Sequence, residues 1–160
     1  MPTRRTFALG LGTVLVLPRL AVGGAPAVVG RLRVRAHPDR LTLSLYLTAE
    51  EPIEVATESG GKPWHPFQPV LSWSETGSAP LVPRGELGNA MRSGPSAWQP
   101  LPAGIEVPYP SFTYDWPDGV VEGTQVELRT AASLITDRGP VQLALPALRF
   151  SARTVHDSGS

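Results

Sequence analysis

The chain has 160 residues, 14 Lys+Arg against 14 Asp+Glu, no cysteine, and 18 prolines beside 16 glycines. That length suits one domain. Without cysteine there can be no disulfide, thiolate metal site, Cys nucleophile or lipoprotein anchor. A net charge of zero argues against general nucleic-acid binding, which works by neutralising phosphates.

Residues 1–27 read as a removable export signal. Arg4, Arg5 and Arg19 lie here, while every acidic residue lies beyond position 38. An apolar run from Phe7 to Leu17 follows the arginine pair, too short for a membrane span of about 20 residues. Ala25-Pro26-Ala27 supplies a small-x-small cleavage pattern. Thr3-Arg4-Arg5-Thr6-Phe7 resembles the twin-arginine signal, with Ala8 and Leu9 where that family has Leu and Lys. The resemblance implies export in the folded state to the periplasm or the exterior, with the membrane involved only during export. Removal of the signal leaves 133 residues with 11 basic and 14 acidic side chains, a net charge of −3.

The mature sequence, 28–155, predicts a single all-β domain. In Arg31–Ala36 apolar and basic residues alternate, and in Leu41–Thr48 every second residue is leucine. Period-two alternation is the signature of half-buried strands. His37-Pro38-Asp39-Arg40 suits a type I turn with Pro second. Pairing Ala36 with Leu41 then sets Val34 against Leu43, Leu32 against Leu45 and Gly30 against Leu47, all on one face. The register also gathers Arg31, Arg33 and Arg35 opposite Tyr46, Ser44 and Thr42. That stripe is either a solvated sheet face or a grip for an acidic partner.

Further strands are expected at Ile53–Thr57, Val70–Trp73, Ile105–Val107, Ser111–Trp116, Gln125–Thr130, Val141–Leu145 and Leu148–Val155. Ser59-Gly60-Gly61, Pro117-Asp118-Gly119 and Asp137-Arg138-Gly139-Pro140 mark the turns. Short strands so punctuated predict an antiparallel sandwich of about seven to nine strands with long Pro-rich loops. Leu41–Glu54, with its Ala49-Glu50-Glu51-Pro52 connector, is similar to the second and third strands of bacterial secreted immunoglobulin-like domains, which implies an architecture and no activity.

Residues 60–117 hold 11 of the 15 mature prolines and eight of the 11 aromatics. A loop-rich insertion is expected over 60–110, with Leu81–Ala97 a long mobile loop. Residues 156–160 read as a disordered polar tail. Alternation puts Phe112, Tyr114 and Trp116 on one face, which is core if it points inward and a ligand platform if outward. Burial of aromatics favours core.

The catalytic inventory is sparse. His37, His65 and His156 show no ligand-like spacing, so neither metal nor cofactor is expected. Glu50-Glu51 and Asp115 with Asp118 sit at turns, and no nucleophile elbow or phosphate loop occurs. The leading expectation is an exported, non-catalytic binding module or accessory protein of the cell envelope. Its candidate contacts are Trp64, His65, Phe67, Trp98, Tyr109 and the three stripe arginines. The partner would be an envelope or extracellular protein, or a small ligand or glycan. Alternatives are a small hydrolase or metal-dependent enzyme centred on His65, and a carbohydrate-binding or proteinase-inhibitor-like domain.

Overall fold

Alternation in the first hairpin sets the frame of the molecule. In the computed structural model, which describes residues 26–88 and 94–159 without the side chains of 156–159, β1 (Val28–Ala36) pairs antiparallel with β2 (Leu41–Ala49). The register is the expected one, Ala36 against Leu41 through Gly30 against Leu47. Leu32, Val34, Leu41, Leu43, Leu45 and Leu47 are all wholly buried. The segment expected to be an export signal lies outside the described residues except for Pro26 and Ala27.

The remaining strands are β3 (Ile53–Ser59), β4 (Lys62–Pro63), β5 (Val70–Ser72), β6 (Ser78–Pro80), β7 (Pro95–Leu101), β8 (Val107–Pro108), β9 (Phe112–Tyr114), β10 (Gln125–Arg129), β11 (Ala131–Thr136), β12 (Gly139–Ala144), β13 (Leu148–Ser151) and β14 (His156–Gly159). Among the described residues there is no helix, and the named strands pair only antiparallel. The described residues form fourteen strands against the expected seven to nine, the additional ones being the short β4 and β6, the edge strand β7, and β11 and β14.

Three sheets result. One runs β14-β1-β2, with β8 and β9 as two ends of an interrupted strand along β2. A second runs β12-β11-β3, with β4 and β7 also on β3. The third runs β13-β10-β5-β6. The leucine face of β1 and β2 shares one core with Ile53, Val55, Leu101, Leu134, Val141 and Leu143 of the second sheet, and with Leu71, Val126, Leu128 and Phe150 of the third. This is an all-β, antiparallel sandwich.

Proline has a positional logic here. The strands that contain it, β4, β6, β7, β8 and β12, each pair with a single neighbour. Proline cannot donate to a ladder, so it is confined to edges, and there it blocks the addition of foreign strands.

Two sequence expectations need correction. His156–Gly159 is a strand whose backbone pairs with Arg33–Ala36, because β1 has a second edge whose amides and carbonyls need partners. The strand expected over Leu148–Val155 therefore stops at Ser151, and a turn carries the chain to β14. Leu81–Ala97 is also no free loop. Residues 81–88 form a strap, bonded by Leu81 N–H to Pro69 O, Arg84 N–H to Thr113 O and Gly88 N–H to Pro63 O, each at 2.8 to 2.9 Å. Leu81 is buried, and Leu87 packs against the core. After residues 89–93, outside the description, the chain enters β7. Glycine and proline content signals turns but does not show which backbone groups find partners.

Gly88 tests the strap. A Cβ there would stand 2.5 Å from Ser59 O and 2.8 Å from Lys62 O, both backbone atoms. Gly88→Ala is expected to cost about 1–3 kcal/mol through this overlap, read as a lower urea midpoint. Gly94→Ala, whose methyl meets nothing within 4 Å, is expected to stay within about 0.5 kcal/mol of the parent.

Candidate functional site

Pro63-Trp64-His65-Pro66-Phe67-Gln68-Pro69 is extended, as expected where residues preceding proline are excluded from the helical region. The segment bridges two strands of the second sheet. Trp64 N–H donates to Thr57 O at the bulge of β3, while Pro66 O accepts from Ser133 N–H and Gln68 N–H reaches Ala131 O on β11. Phe67 faces Ala132 in an isolated bridge.

Four of the five expected ring-bearing contact residues, Trp64, His65, Phe67 and Tyr109, are buried or half-buried. Phe67 and Tyr109 are only 3% and 2% exposed. Tyr109 donates its hydroxyl to Ala56 O at 2.7 Å, beside the same bulge. Burial pushes its phenol pKa up, so it keeps the proton it donates. Trp64 is half-buried and gives its indole N–H to Ser133 O. These residues stabilise the fold, since large rings in a small domain serve the core first. Phe112, Tyr114 and Trp116 likewise form part of the core.

His65 is half-buried within this group. Its Nε2 lies 2.5 Å from the Tyr114 hydroxyl, and its ring meets Phe67, Phe112 and Tyr114 edge-on at centroid distances of 5.9, 4.9 and 5.6 Å. Burial lowers its pKa below the ordinary 6.5 and raises that of Tyr114. A neutral imidazole against a buried, protonated phenol has the makings of a packed hydrogen bond. Among the described residues no three His, Cys, Asp or Glu side chains converge as a metal site.

No family model, curated protein or solved structure matches the chain. Its surface must therefore be read on its own chemistry.

The arginine stripe stands as the register sets it, on the outer face of β1 opposite Tyr46, Ser44 and Thr42. Arg31 is fully engaged. Its guanidinium lies 4.4 Å from the Tyr46 ring centroid and binds both Glu106 oxygens, at 2.7 and 3.0 Å. The hydrogen bond from Arg31 holds the Glu106 carboxyl below its usual range. An exposed pair of this kind adds little stability, but its two-point geometry fixes the loop that carries Glu106.

That loop, 102–106, was expected to begin a strand at Ile105. The strand starts instead at Val107, and Ile105 projects from a turn with 56% of its surface exposed. Gly104, at φ +72°, makes the turn, a conformation glycine adopts without strain. Gly104 N–H bonds to Ala49 O at 2.8 Å, and Ala103 bridges Ala49. Nothing in the sequence tied Glu106 to Arg31, 75 residues away.

Trp98, on the Pro-bearing edge strand β7, is 40% exposed. Of the eight aromatics between 60 and 117, it alone falls among the exposed large apolar side chains. The same strand is tied to β8 by the Gln99 amide, which donates to Pro108 O at 2.7 Å. A depression lined by Gln68, Val70, Arg129, Leu145 and Ala147 is shallow and open, without the enclosure typical of small-molecule sites.

Proposed function

We propose that the chain is an exported, non-catalytic binding module of the cell envelope, with an immunoglobulin-like sandwich that contacts a protein partner through residues 95–106. One observation carries this reading. Trp98 and Ile105 present apolar side chains to solvent from backbone held in place, by pairing with β3 at one and by the Ala49 and Arg31 contacts at the other. Exposed aromatic and aliphatic groups on rigid supports are the form binding hot spots take, because little entropy is lost when they dock. The connector from β2 to β3 passes from the first sheet to the second, in keeping with the immunoglobulin-like resemblance. The signal at residues 1–27 supports export by the twin-arginine route to the periplasm or exterior.

Photo-crosslinking tests the reading. A photoreactive residue is placed at Trp98, at Ile105 or at Val121, a 67% exposed valine on another loop, and illuminated in intact envelopes. A discrete adduct from positions 98 and 105, absent from 121, is expected. No adduct from 98 or 105, or equal labelling from all three, contradicts the proposal.

A further inference from the structure

We propose that His65 and Tyr114 form an acid-sensitive clasp on the 81–88 strap, and that protonation of His65 opens it. The strap is anchored to both segments that carry the pair. On the His65 side, Leu81 N–H and Gly88 N–H bond to Pro69 O and Pro63 O, and Lys62 pairs with Glu86 at 2.8 Å. On the Tyr114 side, Pro83 bridges Tyr114, Arg84 N–H bonds to Thr113 O, and the Arg84 guanidinium binds Asp115 at 2.6 Å. The bond from His65 to Tyr114 is therefore the rung that joins the two anchorages.

Proton bookkeeping makes that rung sensitive to acid. A tyrosine hydroxyl has one proton to donate, and a neutral imidazole has one nitrogen free to accept. Among the described residues the Tyr114 hydroxyl has no other hydrogen-bond partner, and its side chain is wholly buried. The phenol proton and the Nε2 lone pair satisfy each other when Tyr114 donates to Nε2. Protonation of Nε2 reverses the bond, so that the phenol accepts and its own proton is left without an acceptor on a wholly buried side chain. Burying an unsatisfied donor together with a new charge favours opening.

The neighbouring charges do not take over this role. Arg84 and Lys62 each have a carboxylate partner, Asp115 and Glu86. The hydrogen bond from Lys62 holds the Glu86 carboxyl below its usual range, so it remains ionised while His65 titrates. Tyr109 and Tyr114 keep their protons, since burial raises both. β11, from Ala131 to Thr136, brings no charged side chain. Opening withdraws Leu81 and Leu87 from the core and uncovers an apolar face.

The sign follows from linkage. The closed form holds the His65 pKa below the ordinary 6.5 by burial, so the open form binds the proton more tightly. Closure is complete above that ordinary value and weakens as pH falls through it, until the closed-state pKa is reached.

Amide hydrogen exchange on the intact chain, with intrinsic rates corrected for pH, tests the clasp. Protection of the Leu81, Arg84 and Gly88 amides is expected to fall about tenfold from about pH 7.5 to about pH 5, while Val34 stays protected. His65→Phe, which fills the ring site but cannot titrate, is expected to hold strap protection within about twofold. If that variant does not fold, the wild type decides: the His65 ring resonance must titrate below its ordinary value, and strap protection must fall between that ordinary value and the observed midpoint. Strap protection independent of pH, or a His65 midpoint at or above the ordinary value, overturns the proposal.

Discussion

Tyr114→Ala is expected to lower the free energy of unfolding by about 3–5 kcal/mol, the cost of emptying a large aromatic site in a packed core. Tyr114 is the largest of the wholly buried side chains, and Leu41 opposes it across the β2–β9 ladder. Its ring also packs edge-on against His65. Tyr114→Phe keeps the ring and removes only the hydroxyl, so a loss of about 1 kcal/mol is expected. Urea titration followed by fluorescence and far-ultraviolet circular dichroism measures both, with coincident curves required for a two-state reading. A loss under about 1 kcal/mol for Tyr114→Ala would mean that the alternating face of β9 points to solvent.

Trp116→Ala is expected to cost a similar amount, about 3–5 kcal/mol, for a different reason. Trp116 joins three loops at one end of the sandwich. Its indole N–H donates to His37 O at 2.8 Å in the first hairpin turn, and its ring meets Phe150 of β13 at 6.4 Å. Arg153 lies over its other surroundings, with its guanidinium 6.0 Å from the ring centroid, and donates to Val120 O and Pro38 O. Arg153 adopts φ +55°, which costs a side-chain-bearing residue roughly 1–2 kcal/mol. These carbonyl contacts offset that strain. Trp116→Phe should recover most of the burial but not the bond to His37. The same denaturation experiment ranks the three proteins, and equal stability of Trp116→Ala and the parent contradicts this role.

The clearest sequence signals were local and periodic. The β1–β2 register followed from alternation and a four-residue proline turn because a one-residue slip would have turned every leucine to solvent. The same alternation put Phe112, Tyr114 and Trp116 on one face but left its direction open, and their burial in the core decides it. The aromatic middle was harder to read because its partners are distant in sequence. Nothing near Trp64 announces Ser133, and nothing near His65 announces Tyr114, 49 residues on. Proline was ambiguous for a physical reason, since a ring that forbids a ladder bond suits a loop and an edge strand equally. β11 was missed because Ala131-Ala132-Ser133 carries little hydrophobic contrast, and β14 because its partner strand, not its own composition, makes it a strand.

One labelling measurement bears directly on the central claim, that the aromatic middle is core and that Trp98 is its exposed exception. The protein is prepared with 5-fluorotryptophan at its four tryptophans, and fluorine resonances are recorded as a soluble gadolinium chelate is added. The account predicts that one resonance broadens far more than the others, and that this resonance is the one missing from Trp98→Phe. The resonance missing from Trp116→Phe should respond least. Broadening of the Trp116 resonance as strong as that of Trp98 would contradict the account.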